Sequence, residues 1–188
     1  MSLIEDGKGT GSKAQVDDEN ALIVNAITSS SQHHANHIHG GAYTMDLDGV
    51  VVAGDGYNFV YIQNTADEDM HITSINIWMN QAKEDDNIEV WLGHVLTSVA
   101  NNTSITPGNT NAGSGQSASG VFYVNDGGGN LTTLAGGVVA GRWKPTATME
   151  NKWTKRSCWI LPKNQTFTLL SSKDNKITGY ISFYYHKS

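Results

Sequence analysis

The chain has 188 residues, a formal net charge of −6 at pH 7 and only 16% charged residues. This length fits one domain with room for an extension, and the acidic balance argues against wrapping nucleic acid or docking on anionic lipid, which need a basic face. No run approaches the ~20 apolar residues of a membrane-spanning helix, the first residues lack a secretion-signal pattern, and the single cysteine, Cys158, leaves no intrachain disulfide and favours assembly in a reducing cytoplasm.

The first notable segment is "GKGTGSK", residues 7–13, which has the composition of a phosphate-binding loop. A Walker-type loop needs Gly, four residues and then Gly-Lys-Ser/Thr, but Ser12 replaces the second glycine and Ala14 replaces the hydroxyl residue. A dinucleotide-binding pattern fails as well, because Gly11 comes one residue early. Residues 5–20 are rich in Gly, Ser, Lys and Asp, which predicts a flexible thread rather than a nucleotide site.

The apolar run "ALIVNAIT", residues 21–28, predicts a strand with no hairpin partner nearby. Such a strand can pair with something distant or with the open sheet edge of another subunit. Together with the thread before it, the run predicts an extended N-terminal arm over residues 1–40. The arm residues expected to contact a partner are the apolar ones: Leu3, Ile4, Val16, Leu22, Ile23, Val24 and Ile27.

Four histidines follow in "HHANHIH": His33, His34, His37 and His39. On a helix His33 and His37 would lie one turn apart, a workable pair for zinc, and on a strand His37 and His39 would share a face. The flanking serines and glycines argue against the rigid scaffold that a tight metal site needs. We therefore favour a polar hinge that is sensitive to pH and keep a metal site as the weaker alternative.

From residue 41 onward the apolar residues alternate with period two, which predicts half-buried strands separated by polar turns. Many short strands of this kind predict one β-sandwich over residues 41–188. Strict alternation places Phe59 and Tyr61 on one face of their strand. In the strand that begins near residue 88, it places Glu89 and Trp91 on the face opposite Ile88, Val90, Leu92 and Leu96. In the last strand, one face is predicted to carry Ile177, Ile181, Phe183 and Tyr185.

Several polar segments are candidates for binding or chemistry. Residues 100–120 are too long and polar for an ordinary connection and predict a surface excursion. The acidic runs at 66–69 and 83–87 do not fit the spacing of a calcium loop and are interpreted as turn tips. No nucleophile elbow is present, Cys158 lies in an apolar run, and the acids other than Glu89 fall in turns or in the arm. The sequence thus predicts neither an enzyme nor a cofactor.

The tryptophans raise a carbohydrate-binding hypothesis. Trp78 and Trp91 are predicted on faces opposite the aliphatic stripes of their strands, and Trp143 precedes a polar loop. Exposed aromatic rings on a sandwich can stack on sugars, so these three residues are the candidate glycan-binding set. The preferred interpretation is that they are covered by the other sheet, the arm or a neighbouring subunit, because an apolar second face usually marks an interface.

Three patches resemble parts of small tailed-phage virion proteins. The opening "SLIEDGKGTGSKAQVDDENALIVNAIT" has their acidic-Gly-Thr-Gly start, Lys-Ala-x-Val step and short hydrophobic strand after an asparagine. The loop "TPGNTNAGSGQSA", with Asn109, Asn111 and Ser114, is similar to their Asn-x-Asn-x-x-Ser loop. The ending "WILPKNQTFTLLSSKDNKITGYISFYY" looks like the last strands of a viral jelly roll joined by a Leu-Pro turn.

The resemblance implies an all-β protein, with a jelly-roll β-sandwich at 41–188 and an extended N-terminal arm at 1–40. It implies a capsid decoration (cement) protein of a bacteriophage that binds the outer surface of the head and stabilises joints between major capsid subunits. The implied partners are the major capsid protein and two further copies in a homo-trimer, on the virion exterior. No catalytic residues carry over, and the histidine cluster is not part of the pattern. A tail- or fibre-associated virion protein and a carbohydrate-binding module remain the alternatives.

Overall fold

The computed structural model describes residues 3–5, 13–16, 22–23, 40–79, 87–130, 132–144, 151–153 and 159–186. Those residues form strands, turns and bends without a helix, which confirms the all-β prediction. It follows that the described ranges hold no helix long and apolar enough to cross a membrane. The chain divides into two compact units, Met1–Ser30 and Ser31–Ser188.

The first unit contains a small antiparallel sheet with the strand order β1-β2-β3. Its strands are β1 (Leu3–Glu5), β2 (Lys13–Val16) and β3 (Leu22–Ile23). The expectation that the apolar run after residue 20 lacks a nearby partner is wrong, because β3 pairs with β2. The thread predicted over residues 5–20 is likewise interrupted by β2. Backbone N–H and C=O groups need hydrogen-bond partners, and β-branched residues such as Val16 and Ile23 favour extended backbone, so these short segments can pair with each other.

The second unit is a sandwich of two antiparallel sheets. In chain order its strands are β4 (Ala42–Asp46), β5 (Val50–Val52), β6 (Tyr57–Asn64), β7 (Asp69–Met79), β8 (Ile88–Val99), β9 (Asn102–Ser104), β10 (Gly108–Asn109), β11 (Gly120–Asn125), β12 (Thr132–Trp143), β13 (Asn151–Trp153), β14 (Trp159–Leu161), β15 (Thr166–Ser171) and β16 (Asn175–His186). The seven-stranded sheet has the order β10-β4-β16-β7-β13, with β14 also paired to β7 and β5 to β16. The six-stranded sheet has the order β12-β8-β15-β6-β11-β9.

The principal strand pairs are nested along the chain. Strand β4 pairs with β16, β6 with β15, β7 with β14, and β8 with β12, so that each pair encloses the next. Successive pairs alternate between the seven-stranded and the six-stranded sheet. A long antiparallel pair of chain segments, folded so that successive strand pairs join opposite sheets, has this arrangement. As a result, β16 lies in the middle of the seven-stranded sheet.

The core lies between the two sheets and is built from the apolar faces of the strands. The ring of Phe183 stacks on those of Tyr43 and Phe122, at centroid distances of 5.5 and 5.4 Å. Each large apolar side chain buried in this way contributes about 1.5–3 kcal/mol. The predicted stripe of β16 is confirmed, because Ile177, Ile181 and Phe183 belong to the core and Tyr185 packs against it. Other core members include Ile62, Ile75, Ile77, Ile88, Val90, Phe167 and Leu169.

Alternation breaks in β6, where Phe59 and Val60 both belong to the core. The register between β6 and β15 shifts at Leu169 and Leu170, as expected for a β-bulge, which changes the facing of the residues beyond it. The prediction that Phe59 and Tyr61 share a face is therefore wrong. Tyr61 instead lies stacked near Tyr123, at 6.2 Å between ring centroids.

Candidate functional site

A glycine in β8 brings two aromatic residues to the same side of the six-stranded sheet. Trp91 lies on the outer face, because its neighbours Val90 and Leu92 pack against the core. Gly93 has a φ of 76°, in the left-handed region that glycine adopts at little cost. After this irregularity His94 stacks on Trp91, with ring centroids 4.9 Å apart and planes inclined by 18°. Strict alternation would have placed His94 on the core face with Leu92.

His94 is fixed by the neighbouring strand β15. Its Nδ1 is hydrogen-bonded to the hydroxyl of the buried Thr168 at 2.7 Å, and its carbonyl oxygen accepts a bond from the hydroxyl of Thr166 at 2.7 Å. The side chain is nearly enclosed, since His94 is only 7% exposed. Burial lowers the pKa of His94, which favours the neutral imidazole.

Two glycines of the edge strand β12 lie beside this ring, and one of them makes room for it. Gly136 lies opposite His94 in the strand register, and Gly137 follows it. Both have positive φ angles, of 71° and 83°. A Cβ atom on Gly137 would overlap the imidazole of His94, whereas a Cβ on Gly136 would meet no atom within 4 Å. The stacked pair therefore depends on glycine at position 137.

A carboxylate orients the indole of Trp91. The indole Nε1–H donates to Glu89 Oε2 at 2.9 Å, and the Nε–H of Arg142 donates to Glu89 Oε1 at 2.6 Å. Glu89 precedes Trp91 by two residues in β8, so both side chains leave the same face of the strand. Glu89, an acid that the sequence places within a strand, thus has a positioning role.

Asparagine side chains build the opposite wall beside the turn at residues 126–130. The backbone N–H of Asn58 donates to Asn130 Oδ1 at 3.0 Å, and Asn101 Nδ2 donates to the carbonyl of Asn130 at 3.1 Å. Asn125 Nδ2 donates to the carbonyls of Asn58 and Gly129, at 3.1 and 2.8 Å. These bonds hold the turn against β6, and Asn101 takes a φ of 52°, which asparagine tolerates better than most residues.

The two walls enclose an open cavity of about 450 Å³. Asn58 lines it and is 6% exposed, yet its Oδ1 accepts no hydrogen bond from the described residues. Apart from His94, no described residue of the lining is ionisable. The lining consists of Asn58, Trp91, His94, Ala100, Asn101, Asn130, Leu134, Gly136 and Leu170.

The structure does not bring the three candidate glycan-binding tryptophans together. Trp91 lines the cavity, as just described. Trp78 is exposed on the seven-stranded sheet, 6.2 Å from the ring of Tyr180, and its predicted outward orientation is confirmed. Trp143 lies opposite Ile88 in the register and packs against the core. A single sugar site can therefore include Trp91 but neither Trp78 nor Trp143.

The remaining predicted site residues lie in the first unit, in the acidic turn at 66–69 or outside the described residues. Leu3, Ile4, Val16, Leu22 and Ile23 lie in the strands of the first unit. In the parts that the structure covers, no group of three or more metal-ligating side chains occurs. In the acidic turn at 66–69, Asp67 pairs with Lys163 at 2.6 Å. The candidates outside the described residues are Val24, Ile27, His33, His34, His37, His39 and Cys158.

The stretch at residues 100–120 lies mostly at the surface, as predicted, but it also contributes β9 and β10 to the sheets. Its Asn-x-Asn-x-x-Ser residues hold their own loop. Asn109 Nδ2 donates to the carbonyl of Gly40 at 2.7 Å, and Asn109 Oδ1 accepts from the N–H of Asn111 at 2.7 Å. Ser114 Oγ accepts from the N–H of Gln116 at 3.2 Å. These residues have a structural role within the sandwich.

A second surface feature is the apolar edge formed by β8 and β12. Val95 and Val138 are 62% and 66% exposed, and Val139 is also exposed. Among the described strands β12 pairs only with β8, so its outer backbone edge faces no strand there. An apolar edge strand of this length favours pairing with another chain.

No protein-family model, curated protein sequence or solved structure matches the chain.

Proposed function

We propose that this protein is a phage virion structural protein, a capsid decoration (cement) protein that binds the outer surface of the head and stabilises joints between major capsid subunits. The observation that carries the proposal is the nested strand pairing of the sandwich. Counted in chain order, the principal strands pair first with last, second with seventh, third with sixth and fourth with fifth. This order supports a jelly roll, which viral capsid proteins commonly use.

A fold does not define a function by itself, so the role rests on the fold together with the three sequence patches. The ending that resembles a viral jelly roll spans β14, β15 and β16, which occupy both sheets of the sandwich. The Leu-Pro turn in that ending begins where β14 ends at Leu161. The resemblance and the nested order therefore concern the same part of the molecule and support each other.

In this proposal, residues 1–40 are an extended arm that binds the neighbouring capsid protein. The first unit supports this role because its strands are only two to four residues long. Sheets this small are marginally stable alone, and a partner that binds the folded form stabilises it by mass action. Backbone pairing with an open sheet edge of the capsid would supply affinity without a deep pocket.

The apolar edge supports self-association of the sandwich, in keeping with a homo-trimer. Val95 and Val138 expose more than half of their surface beside a strand edge that the described part of the chain leaves unpaired. Contact between copies would remove this surface from water, which is favourable in proportion to the apolar area. Val138→Lys is expected to reduce the oligomer measured by light scattering after gel filtration, whereas Ile160→Lys, on the other sheet, is the matched control.

The arm is tested by deleting residues 1–30 and measuring co-sedimentation with phage heads that lack the protein. The truncated chain is expected to keep the far-ultraviolet circular dichroism of a β-sandwich but to lose binding to the heads. Equal binding by the truncated and full-length chains would contradict the proposal. Density on the tail instead of the head, in images of intact virions, would favour the tail- or fibre-associated alternative.

A further inference from the structure

We propose that the cavity beside Trp91 and His94 binds a neutral, hydroxylated ring, such as one unit of a glycan. This site goes beyond the structural role, since attachment to a capsid needs no small-ligand pocket. The cavity volume of about 450 Å³ lies within the range of roughly 300–1,000 Å³ typical of small-ligand sites.

The first wall offers an aromatic surface in a fixed position. Trp91 is restrained by the Glu89 carboxylate on one side and by the parallel ring of His94 on the other. A restrained indole loses little conformational freedom on binding, which favours affinity. The C–H-rich face of a sugar ring is a suitable apolar partner for such a surface, and Leu134 and Leu170 extend the apolar part of the lining.

The second wall offers amide groups that are already positioned. Asn58, Asn101 and Asn130 line the cavity. The side chain of Asn130 is held by the backbone N–H of Asn58, and that of Asn101 is held by the carbonyl of Asn130. The Oδ1 of Asn58 is buried and accepts no hydrogen bond from the described residues. A buried polar atom without a partner is unfavourable. This oxygen has almost no solvent-accessible surface, so a ligand hydroxyl would reach it only after the Asn58 side chain turns toward the cavity.

The charge of the lining decides between classes of ligand. No lysine, arginine, aspartate or glutamate is among the described residues that line the cavity. The nearby cation Arg142 is engaged by Glu89. A phosphate or carboxylate would lose its hydration without gaining an opposite charge, which is costly. A wholly apolar ligand would leave the amides unmatched, so a neutral polyol with one apolar face fits best.

The experiment uses the full chain on an array of neutral glycans, followed by NMR titration with a monosaccharide that binds. We expect the Nε1–H resonance of Trp91 and the amide resonances of Asn58, Asn101 and Asn130 to shift, while the indole of Trp78 stays unchanged. Asn58→Ala and Trp91→Phe should each weaken binding at least tenfold, and Trp78→Phe should not.

Two outcomes would overturn the inference: no neutral glycan binds above the level of an Asn58→Ala/Trp91→Phe double variant, or a bound sugar shifts Trp78 and leaves Trp91 unchanged. Glucose 1-phosphate serves as the charged comparison, and its binding more tightly than the neutral sugars would also contradict the proposed chemistry. Head binding of Asn58→Ala, measured by co-sedimentation, should equal that of the unmodified protein, which separates this site from the capsid role.

Discussion

The imidazole of His94 lies nearly parallel to the indole of Trp91, 4.9 Å away, although three positions separate the residues along β8. In a regular strand this odd spacing would put the two rings on opposite faces of the sheet. The left-handed conformation of Gly93 removes the conflict and makes the outer face of β8 aromatic on both sides of the glycine. The candidate site is therefore created by backbone conformation as much as by side-chain type.

Gly137→Ala is expected to destabilise the sandwich more than Gly136→Ala. Both substitutions place a side chain at a positive φ, which costs roughly 1–3 kcal/mol. Only the alanine at 137 would also collide with the ring of His94, and such overpacking adds about 1–3 kcal/mol. Urea unfolding followed by tryptophan fluorescence measures the difference, and equal midpoints for the two variants would show that His94 does not depend on Gly137.

Stability should decrease as the pH falls below about 6.5, the usual pKa of an unfolded histidine. Burial lowers the pKa of His94, and burial together with the nearby His186 lowers that of His71, against a smaller opposing effect of Asp69. The unfolded chain then takes up more protons than the folded one, so stability is complete above that pH and is lost below it.

Thermal unfolding between pH 5.0 and 7.5 tests this dependence. His71→Phe keeps an aromatic ring against Tyr184, and His94→Gln keeps a polar group beside Thr168. The double variant should unfold with a weaker dependence on pH than the unmodified protein. An unchanged slope would mean that neither histidine is responsible.

Asn64→Ala should be among the most destabilising polar substitutions. Asn64 is fully buried, and its Nδ2 donates to the carbonyls of Glu68 and Leu161, both at 2.8 Å, while its Oδ1 accepts from the N–H of Ala66 at 3.0 Å. Leaving these backbone groups unpaired costs about 3 kcal/mol. Asp67→Ala, in the same turn, removes only an exposed ion pair with Lys163 and should have little effect on the urea midpoint.

The two hydrogen bonds of Glu89 should contribute unequally to the free energy of unfolding. Glu89→Ala leaves the indole N–H of Trp91 without its acceptor and is expected to cost about 1 kcal/mol. Arg142→Ala removes a partner that is mostly exposed and should change the free energy of unfolding little. Chemical denaturation gives both values, and Trp91 fluorescence should respond to Glu89→Ala. A larger effect of Arg142→Ala would reverse this ranking.

Much of the sandwich could be predicted from alternation alone. The core face of β16 and the outward orientation of Trp78 and Trp91 follow from period two, because side chains of a strand alternate between faces. The same rule wrongly placed Phe59 on the face of Tyr61, and it placed Leu96 with the core residues of β8, although Leu96 is not a member of the core. In both strands an irregularity changes the facing of later residues, at the bulge in β6 and at Gly93 in β8.

The candidate site was less predictable than the sheets that carry it. His94 has a sequence signal, a glycine followed by a polar residue inside an alternating run, with a glycine pair in the facing strand. Asn58, Asn101 and Asn130 have none, because their hydrogen bonds join residues between 29 and 72 positions apart. Such contacts form only when the sheets have packed. The nested strand order also depends on pairing between residues far apart in the chain.

The central place of β16 in the seven-stranded sheet bears on how the protein is made. Strands β4 and β7 both pair with Asn175–His186, so a ribosome must release that segment before the two can be joined. Folding that waits for such long-range pairing is slow and leaves strand edges open in the meantime. Chains interrupted before residue 175 should therefore accumulate as aggregates or be degraded.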